Sequence, residues 1–552
     1  MRRMAEVAAA PRGAPEVRWP FFRAWRGTAQ GAGRPLGIIS GGLILDSGEA
    51  ERTFIFRCQD RYLAYSALHG LRSVLFVAGD EHVRCYREEL EGFRRSWDAI
   101  AAATGALPPE LPEPLFVTCD IDRLKLGTCW ALLEQLRRGV VARGPLPDLY
   151  LNQISPTTAE LVAQLGELLR AHGASGDFAP EECARAGALA LRFHDKAGYV
   201  RLLSERGGPG LPPHVPTAVV APEQFLALRS WEALVSLYRE RSGDTGAGPA
   251  ALYVKSSLDS GGNVSARLTP DGFQERSAWL RREVEQHVLC RGVDLGERVR
   301  ELREEVNAAP ALRPLGLTDD RLGRYKRLQL ERRTGIELLV QREVAPPADL
   351  GGRFAGLGLS WQVEGPDDIA PIAVAAQLYR DPDRLHYLGS YLSPALEGQV
   401  LASPLAAQVR RLCRLFADQG WRGPINFDAR LNAEGEYELI YDCNPRLSAV
   451  FPSLAVRQGL RALGLRAEGV LGLGYRGGFV WEDLPGKLAE LEARGLLYTR
   501  DRQRGAVVLP NLSRRSGFDV ALVNVDVASA RQWLASGAFD QGGGASAPGL
   551  HV

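Results

Sequence analysis

The stretch Gly423–Arg446, GPINFDARLNAEGEYELIYDCNPR, constrains the fold more than any other part of the chain. Two runs carrying Ile, Phe, Leu and Tyr, Pro424–Leu431 and Glu436–Asp442, flank Asn432–Gly435, whose Asn and Gly supply the chemistry of a tight turn. The pattern predicts an antiparallel hairpin. Asp428 sits on its first strand. Asp442 and Asn444 end the second, 14 and 16 positions later, where strand pairing can bring their oxygens together. One or two carboxylates, completed by water and phosphate oxygens, are what Mg²⁺ prefers. Arg446 follows directly as a partner for an anion beside such an ion. Read alone, the same hairpin is also a surface turn with solvated acids.

At 552 residues the chain exceeds what one core can organise, and about three or four domains are expected. Its net charge of +1 provides no global field for nucleic acid or a membrane surface, and neither is expected as a partner. Arg far outnumbers Lys, so each Lys stands out as a candidate. The eight cysteines are scattered and form no CxxC pair, which points to a reduced, cytoplasmic protein without a zinc site. Arg2 and Arg3 precede no apolar h-region, so no secretory signal is expected. No run of about 18 apolar residues would make a transmembrane helix.

Residues 1–34, rich in Ala, Arg, Gly and Pro, are expected to be a loose arm. Residues 35–180 alternate strand and helix. Strand-like runs are Leu36–Ile39, Thr53–Phe56, Ser73–Val77, Leu115–Thr118 and Leu149–Asn152. Helical ones are Asp60–His69, Cys85–Ala103, Leu124–Arg137 and Thr157–His172. This is βαβ punctuation and implies a mainly parallel sheet, an α/β domain. Gly41-Gly42 after the first strand is not a GxGxxG fingerprint.

The next unit, 181–345, opens with helix Cys183–Leu191, then His194-Asp195-Lys196, helix Gly198–Arg206, a Pro/Gly connector and strand Ala218–Val220. In ALYVKSSLDSGGNVSAR, 251–267, an apolar strand ends at Lys255. A loop with Ser256, Ser257, Ser260, Gly261 and Gly262 follows, whose small residues let backbone N–H groups approach phosphate oxygens closely. A flexible hairpin loop is the alternative. Residues 271–335 carry charges at helical spacing and form an expected helical insertion. Glu337–Val344 reads as a strand whose edge can offer backbone groups to a planar heterocycle. A unit at 346–465 holds strands Leu357–Val363 and Leu385–Tyr391, helix Leu401–Gln419, the hairpin and helix Pro452–Leu463. A small α+β unit, 466–540, and a disordered tail, 541–552, complete the chain.

In order, Asp195-Lys196, the Lys255 strand and its Ser/Gly loop, the QREV edge at 341–344, Asp428 and Asp-x-Asn-Pro-Arg at 442–446 resemble the ATP-grasp superfamily over roughly residues 35–460. The segment GLLYTRDRQRGAVVLPNL, 495–512, resembles the peptide-ligase branch related to the pheganomycin-type ligase. The resemblance implies a pre-ATP-grasp α/β domain followed by a two-lobed α+β module. It implies ATP as cofactor with Mg²⁺, as two ions, and Mn²⁺ as a substitute. Lys196 and Lys255 would hold the α- and β-phosphates, and Ser256, Ser257, Ser260, Gly261 and Gly262 would cover the β/γ-phosphates. Gln341, with the backbone of Arg342 and Val344, would meet adenine, and Asp349 the ribose. Asp428, Asp442 and Asn444 would bind the metal, and Lys255, Arg430 and Arg446 are the catalytic candidates. The chain departs from the pattern in three places: Asp442 stands where Glu is more usual, Gln341 replaces an acid, and the 271–335 segment is long.

What the resemblance implies is an ADP-forming carboxylate–amine ligase acting through an acyl phosphate, joining amino acids or short peptides in natural-product biosynthesis. A ligase for a thiol or another nucleophile, an ATP-grasp kinase, and a nucleotide-binding regulator are the alternatives. Neither substrate is named by the sequence. A homodimer is expected from the large, partly apolar N-terminal domain.

Overall fold

The computed structural model describes residues 22–23, 36–38, 63–69, 72–77, 80–112, 114–120, 125–126, 149–151, 163–164, 167, 180–246, 248–258, 264–285, 336–347, 349–350, 353–379, 387–446, 450–473, 481–511 and 517–539. The expected strand Thr53–Phe56, Gly41-Gly42, most of the expected helix 157–172, the whole of the insertion beyond 285 and the tail lie outside them.

Among the described residues three sheets form the architecture, and the α/β reading with a parallel N-terminal sheet is borne out. In the first sheet, β2 (Leu36–Ile38), β3 (Arg72–Val77), β4 (Leu115–Asp120) and β6 (Leu149–Leu151) run parallel. β1 (Phe22–Arg23) and β5 (Lys125–Leu126) add antiparallel edges. Two local expectations are corrected here: Phe22–Arg23 is a strand rather than part of a loose arm, and Lys125–Leu126 is a strand rather than the start of a helix. Pairing with β6 and β4 satisfies backbone groups that local sequence could not assign.

The second sheet is antiparallel, in the order β7 (Thr217–Val220), β10 (Leu338–Arg342), β8 (Leu252–Ser256), β9 (Ser265–Leu268). Its core packs Val220, Val254, Leu268 and Leu338 against helices Pro222–Ala227, Trp231–Ser242 and Phe273–Glu283. The first two of those helices were not expected from the sequence. The second is nonetheless well signalled, since Ser230 accepts from Ala233 N at 3.2 Å and Gly243 closes it in the left-handed region at φ 69°.

The third sheet has eight antiparallel strands. They are β15 (Tyr437–Asn444), β14 (Gly423–Leu431), β11 (Gly356–Val363), β12 (Ile369–Tyr379), β13 (Tyr387–Leu392), β16 (Val470–Leu473), β18 (Gly517–Val523) and β17 (Gly505–Asn511), in that spatial order. The expected hairpin is present almost residue for residue. β12 was not expected, and β16 lies where a Gly-rich connector was read. The residues of the small 466–540 unit share this sheet, because β16 pairs with β13. Leu496–Tyr498 makes only an isolated bridge, Leu497 to Ala506. Helix Pro404–Asp418 covers β11 and β12 with Leu405, Val409, Leu412 and Phe416 buried, the stripe its spacing predicts. One hydrophobic core joins helices Leu63–Leu68 and Asp80–Thr104 to β16, β17, β18 and helix Phe451–Ala462. Inside it, the buried Asp519 carboxylate accepts from Tyr65 Oη and Asn511 Nδ2, each at 2.9 Å. Among the described residues no helix is long and apolar enough to cross a membrane.

Candidate active site

The second and third sheets meet at a cluster of charged side chains. Lys196 is the first residue of helix Lys196–Arg206. Asp195 caps that helix by accepting from Ala197 N at 3.1 Å, and Lys196 N donates to Ser257 O at 2.9 Å. This fixes the helix start against the end of β8, where Lys255 lies. Lys196 Nζ stands 3.9 Å from Asp442 Oδ1, and Lys255 Nζ stands 3.9 Å from Asp442 Oδ2. The two lysines are only 2% and 9% exposed. A hydrogen-bonded chain crossing ties the sheets together: Val215 N donates to Leu439 O and Leu439 N to Pro213 O, so the Pro/Gly connector runs beside β15.

β14 and β15 supply the acids. Their register slips between the pairs Phe427–Cys443 and Ala429–Leu439, so that 440–442 stand opposite the single residue Asp428. Such irregularities re-aim side chains beside functional sites. Asn444 pairs with Asn426 across the strands, and its Nδ2 lies 3.4 Å from Asp442 Oδ1. Arg446 N turns back to Asn444 O at 2.7 Å.

The electrostatics follow from this crowding. Burial, then the charge of Asp442, pushes the Asp428 carboxyl up to about 6. Burial opposes ionisation of Asp442 as well, but Lys196, Lys255, His194 and Arg446 outweigh it and hold that carboxyl below its ordinary value. Lys255 is brought down to about 8 by burial, with Lys196 adding to the effect and Asp442 opposing it. Burial disfavours the Arg430 guanidinium, but Tyr379, Asp428 and Tyr253 keep it above its usual value.

Asp428, Asp442, Asn444, Lys196, Lys255, Arg430 and Arg446 are therefore brought to one place. Ser256 and Ser257 are buried beside them at the end of β8, while Ser260, Gly261 and Gly262 lie outside the described residues. Gln341 is buried on β10 and donates through Nε2 to Thr217 Oγ1 at 2.8 Å. Arg342 faces Glu438 at 3.4 Å, Val344 is half-buried, and Asp349 is exposed in the segment between β10 and β11. Among the described residues no three His, Cys, Asp or Glu side chains group to hold a metal ion. The set here is two acids and an amide. A pair of half-buried like charges with an amide alongside suits a hard divalent cation, which would relieve their repulsion.

Three participants escaped the sequence reading. Asn426 lies two positions before Asp428 on the same strand face, a signal that the strand period offers. His194 was read only as a helix end. Gln377 lies on β12, whose Ala- and Pro-containing run carries no clean alternation.

No protein-family model matches this chain, and no curated protein matches it. Among solved structures it is similar to the N5-carboxyaminoimidazole synthetase from Staphylococcus aureus complexed with ADP, at 10% identity over 95% of this chain and 100% of that one, TM-score 0.40. It is similar to a biotin carboxylase–β-γ-ATP complex from Campylobacter jejuni, at 9% identity over 91% and 90%, TM-score 0.40. It is also similar to the N5-carboxyaminoimidazole ribonucleotide synthetase from Thermus thermophilus, at 13% identity over 92% and 98%, TM-score 0.37. Likenesses of this size carry no argument about activity, which rests on the chain's own residues.

Proposed function

We propose that this protein is an ATP-grasp, ADP-forming carboxylate–amine ligase. The observation that carries the reading is the convergence of Lys196 and Lys255 on Asp442, each at 3.9 Å, with Asp428 and Asn444 on the paired strands. Two buried ammonium groups beside two acids suit a polyphosphate held with divalent cations. Asp428, Asp442 and Asn444 would hold Mg²⁺, which when bound supplies positive charge to the phosphate oxygens.

A carboxylate is a poor electrophile, so its activation comes first. One substrate carboxylate oxygen forms a bond to the γ-phosphorus of ATP, and the bond from that phosphorus to the β,γ-bridging oxygen breaks, releasing ADP. Lys196 and Lys255 offset the charge that builds on the phosphates. The amine nitrogen then attacks the acyl carbon, the C–O bond to phosphate breaks, and the amine loses a proton as the amide forms. Arg446 and Arg430 are the donors to the tetrahedral oxyanion. Removing one such donor costs on the order of a hundredfold in rate. The substrates are amino acids or short peptides, and the product a peptide in natural-product biosynthesis. This finer reading rests on the resemblance of 495–512 to the pheganomycin-type ligase branch.

The test is ADP and phosphate release with Mg²⁺ over amino-acid pools offered singly and in pairs, with products read by mass. Turnover that needs two substrates and yields their summed mass minus water, and that vanishes in an Asp442→Ala, Asn444→Ala variant, supports the ligase. ADP without free phosphate, together with a phosphorylated product, would replace it with a kinase.

A further inference from the structure

Gln377 and Asp428 lie on strands that do not touch. β11 runs between β12 and β14, yet Gln377 Nε2 on β12 donates to Asp428 Oδ1 on β14 at 2.7 Å. The contact passes over β11 at Gly356 and Gly358, which pair with Arg430 and Asp428 in the register. A Cβ on Gly358 would lie 3.7 Å from Gln377 Nε2, 3.9 Å from Asp428 Oδ1 and 3.3 Å from Asn426 Oδ1. A Cβ on Gly356 would lie 2.6 Å from Arg430 Nη1. The two glycines open a trough across the middle strand, through which side chains of its two neighbours meet.

The amide in this trough has one possible orientation. Its Oε1 accepts from Arg430 Nη1 at 2.6 Å and from Tyr379 Oη at 2.7 Å, and a guanidinium can only donate. Nε2 therefore faces Asp428. Asn426 Nδ2 donates to the same oxygen, Asp428 Oδ1, at 2.9 Å, and is turned that way by Ser360 Oγ, which donates to Asn426 Oδ1 at 2.9 Å. Two N–H donors occupy both lone pairs of Oδ1. Both amides thus converge on one oxygen of the carboxylate, and Oδ2 is the oxygen left to face a cation.

From this arrangement we infer that Gln377 is a positioning residue that makes Asp428 a one-oxygen ligand and thereby selects Mg²⁺ over Ca²⁺. Mg²⁺ takes single oxygens in a tight octahedron, whereas Ca²⁺ takes six to eight and favours carboxylates that can offer both oxygens. Holding Oδ1 in hydrogen bonds withholds the second oxygen that Ca²⁺ would use. The inference rests on the metal reading of the proposed function. It does not depend on the identity of the organic substrates.

The experiment uses the full chain and the metal itself. Mn²⁺ binding is followed by its electron paramagnetic resonance signal, with and without ADP, and Mg²⁺ and Ca²⁺ compete for the site. Two variants are compared with the natural chain. Gln377→Leu removes the amide. Gly356→Ala leaves Gln377 in place but displaces the Arg430 group that orients it, and melting curves confirm that both fold. The expected result is preference for Mg²⁺ in the natural chain, a fall of about tenfold or more in that preference in Gln377→Leu, and a smaller fall in Gly356→Ala, in keeping with the effect of outer partners on metal affinity. Equal loss of both ions, or an unchanged ratio in Gln377→Leu with Mn²⁺ still bound, would overturn the role of Gln377 and leave the metal site standing. No Mn²⁺ bound by the natural chain in either condition would overturn the metal site, and this inference with it.

Discussion

Lys196 Nζ lies 3.9 Å from Asp442 Oδ1, and Lys255 Nζ takes the other oxygen of the same carboxylate at the same distance. One acid thus balances two nearly buried ammonium groups that arrive from a helix start and from the end of β8. Asp442 holds the meeting point of two sheets as well as a candidate ligand position.

Asp442→Ala should cost stability as well as activity. It leaves two lysines without their shared partner, and breaking a buried pair is worth about 3 kcal/mol. Asp442→Glu keeps the charge and lengthens the arm, so it should retain most of that stability. Urea unfolding of both variants checks the difference, and ATP turnover should be lost in the Ala variant alone.

Lys255 gives the stability a pH dependence of definite sign. Its folded value falls from 10.5 to about 8, chiefly through burial. Above about pH 8 the folded chain has shed a proton that the unfolded chain keeps until 10.5, so the unfolded state binds more protons and stability rises across that window. In Lys255→Met the rise should disappear. Unfolding free energies of the two proteins at several pH values, without nucleotide or metal, supply the comparison.

Asp428 carries the opposite sign. Its folded value rises from 3.8 to about 6, so the folded state pays for ionisation above pH 6 and is relieved as pH falls towards 3.8. Asp428→Asn can still accept from Gln377 and Asn426 through its amide oxygen. It should therefore stabilise the metal-free protein by about 3 kcal/mol at pH 7 and by much less near pH 4. Turnover should be abolished, and a melting-temperature series with an activity assay would expose any other pattern.

Arg430 engages Gln377 Oε1 through Nη1 and Tyr379 Oη through Nη2, each at 2.6 Å, with its guanidinium 5.3 Å from the Tyr379 ring centroid. Lys offers a point charge and no planar fork. Arg430→Lys should lower kcat on the order of a hundredfold with KM for ATP little changed. Tyr379→Phe keeps the ring and should have a much smaller effect. Steady-state kinetics on both variants separate a donor to the transition state from a residue that only packs.

Much of this protein was written locally. Alternation in Pro424–Leu431 and Glu436–Asp442 around an Asn/Gly turn gave the hairpin. The four-residue spacing Leu405, Val409 and Leu412–Phe416 gave the helix behind it. Asp195 before Lys196 gave a helix start. These are short-range choices, set by turn chemistry, capping and periodicity within a few residues. The strand β12 and the continuation of β13 into β16 were not legible, because both depend on partners far along the chain that cover their faces and take their backbone groups. The site divides in the same way. The resemblance picked out positions 196, 255, 428, 442, 444 and 446 as candidates. Only the tertiary structure decided that two lysines share one carboxylate, and that Gln377 reaches across a strand to hold one oxygen of Asp428. Those contacts depend on strand order, on a slipped register and on two glycines in the strand between, and no sequence period records them.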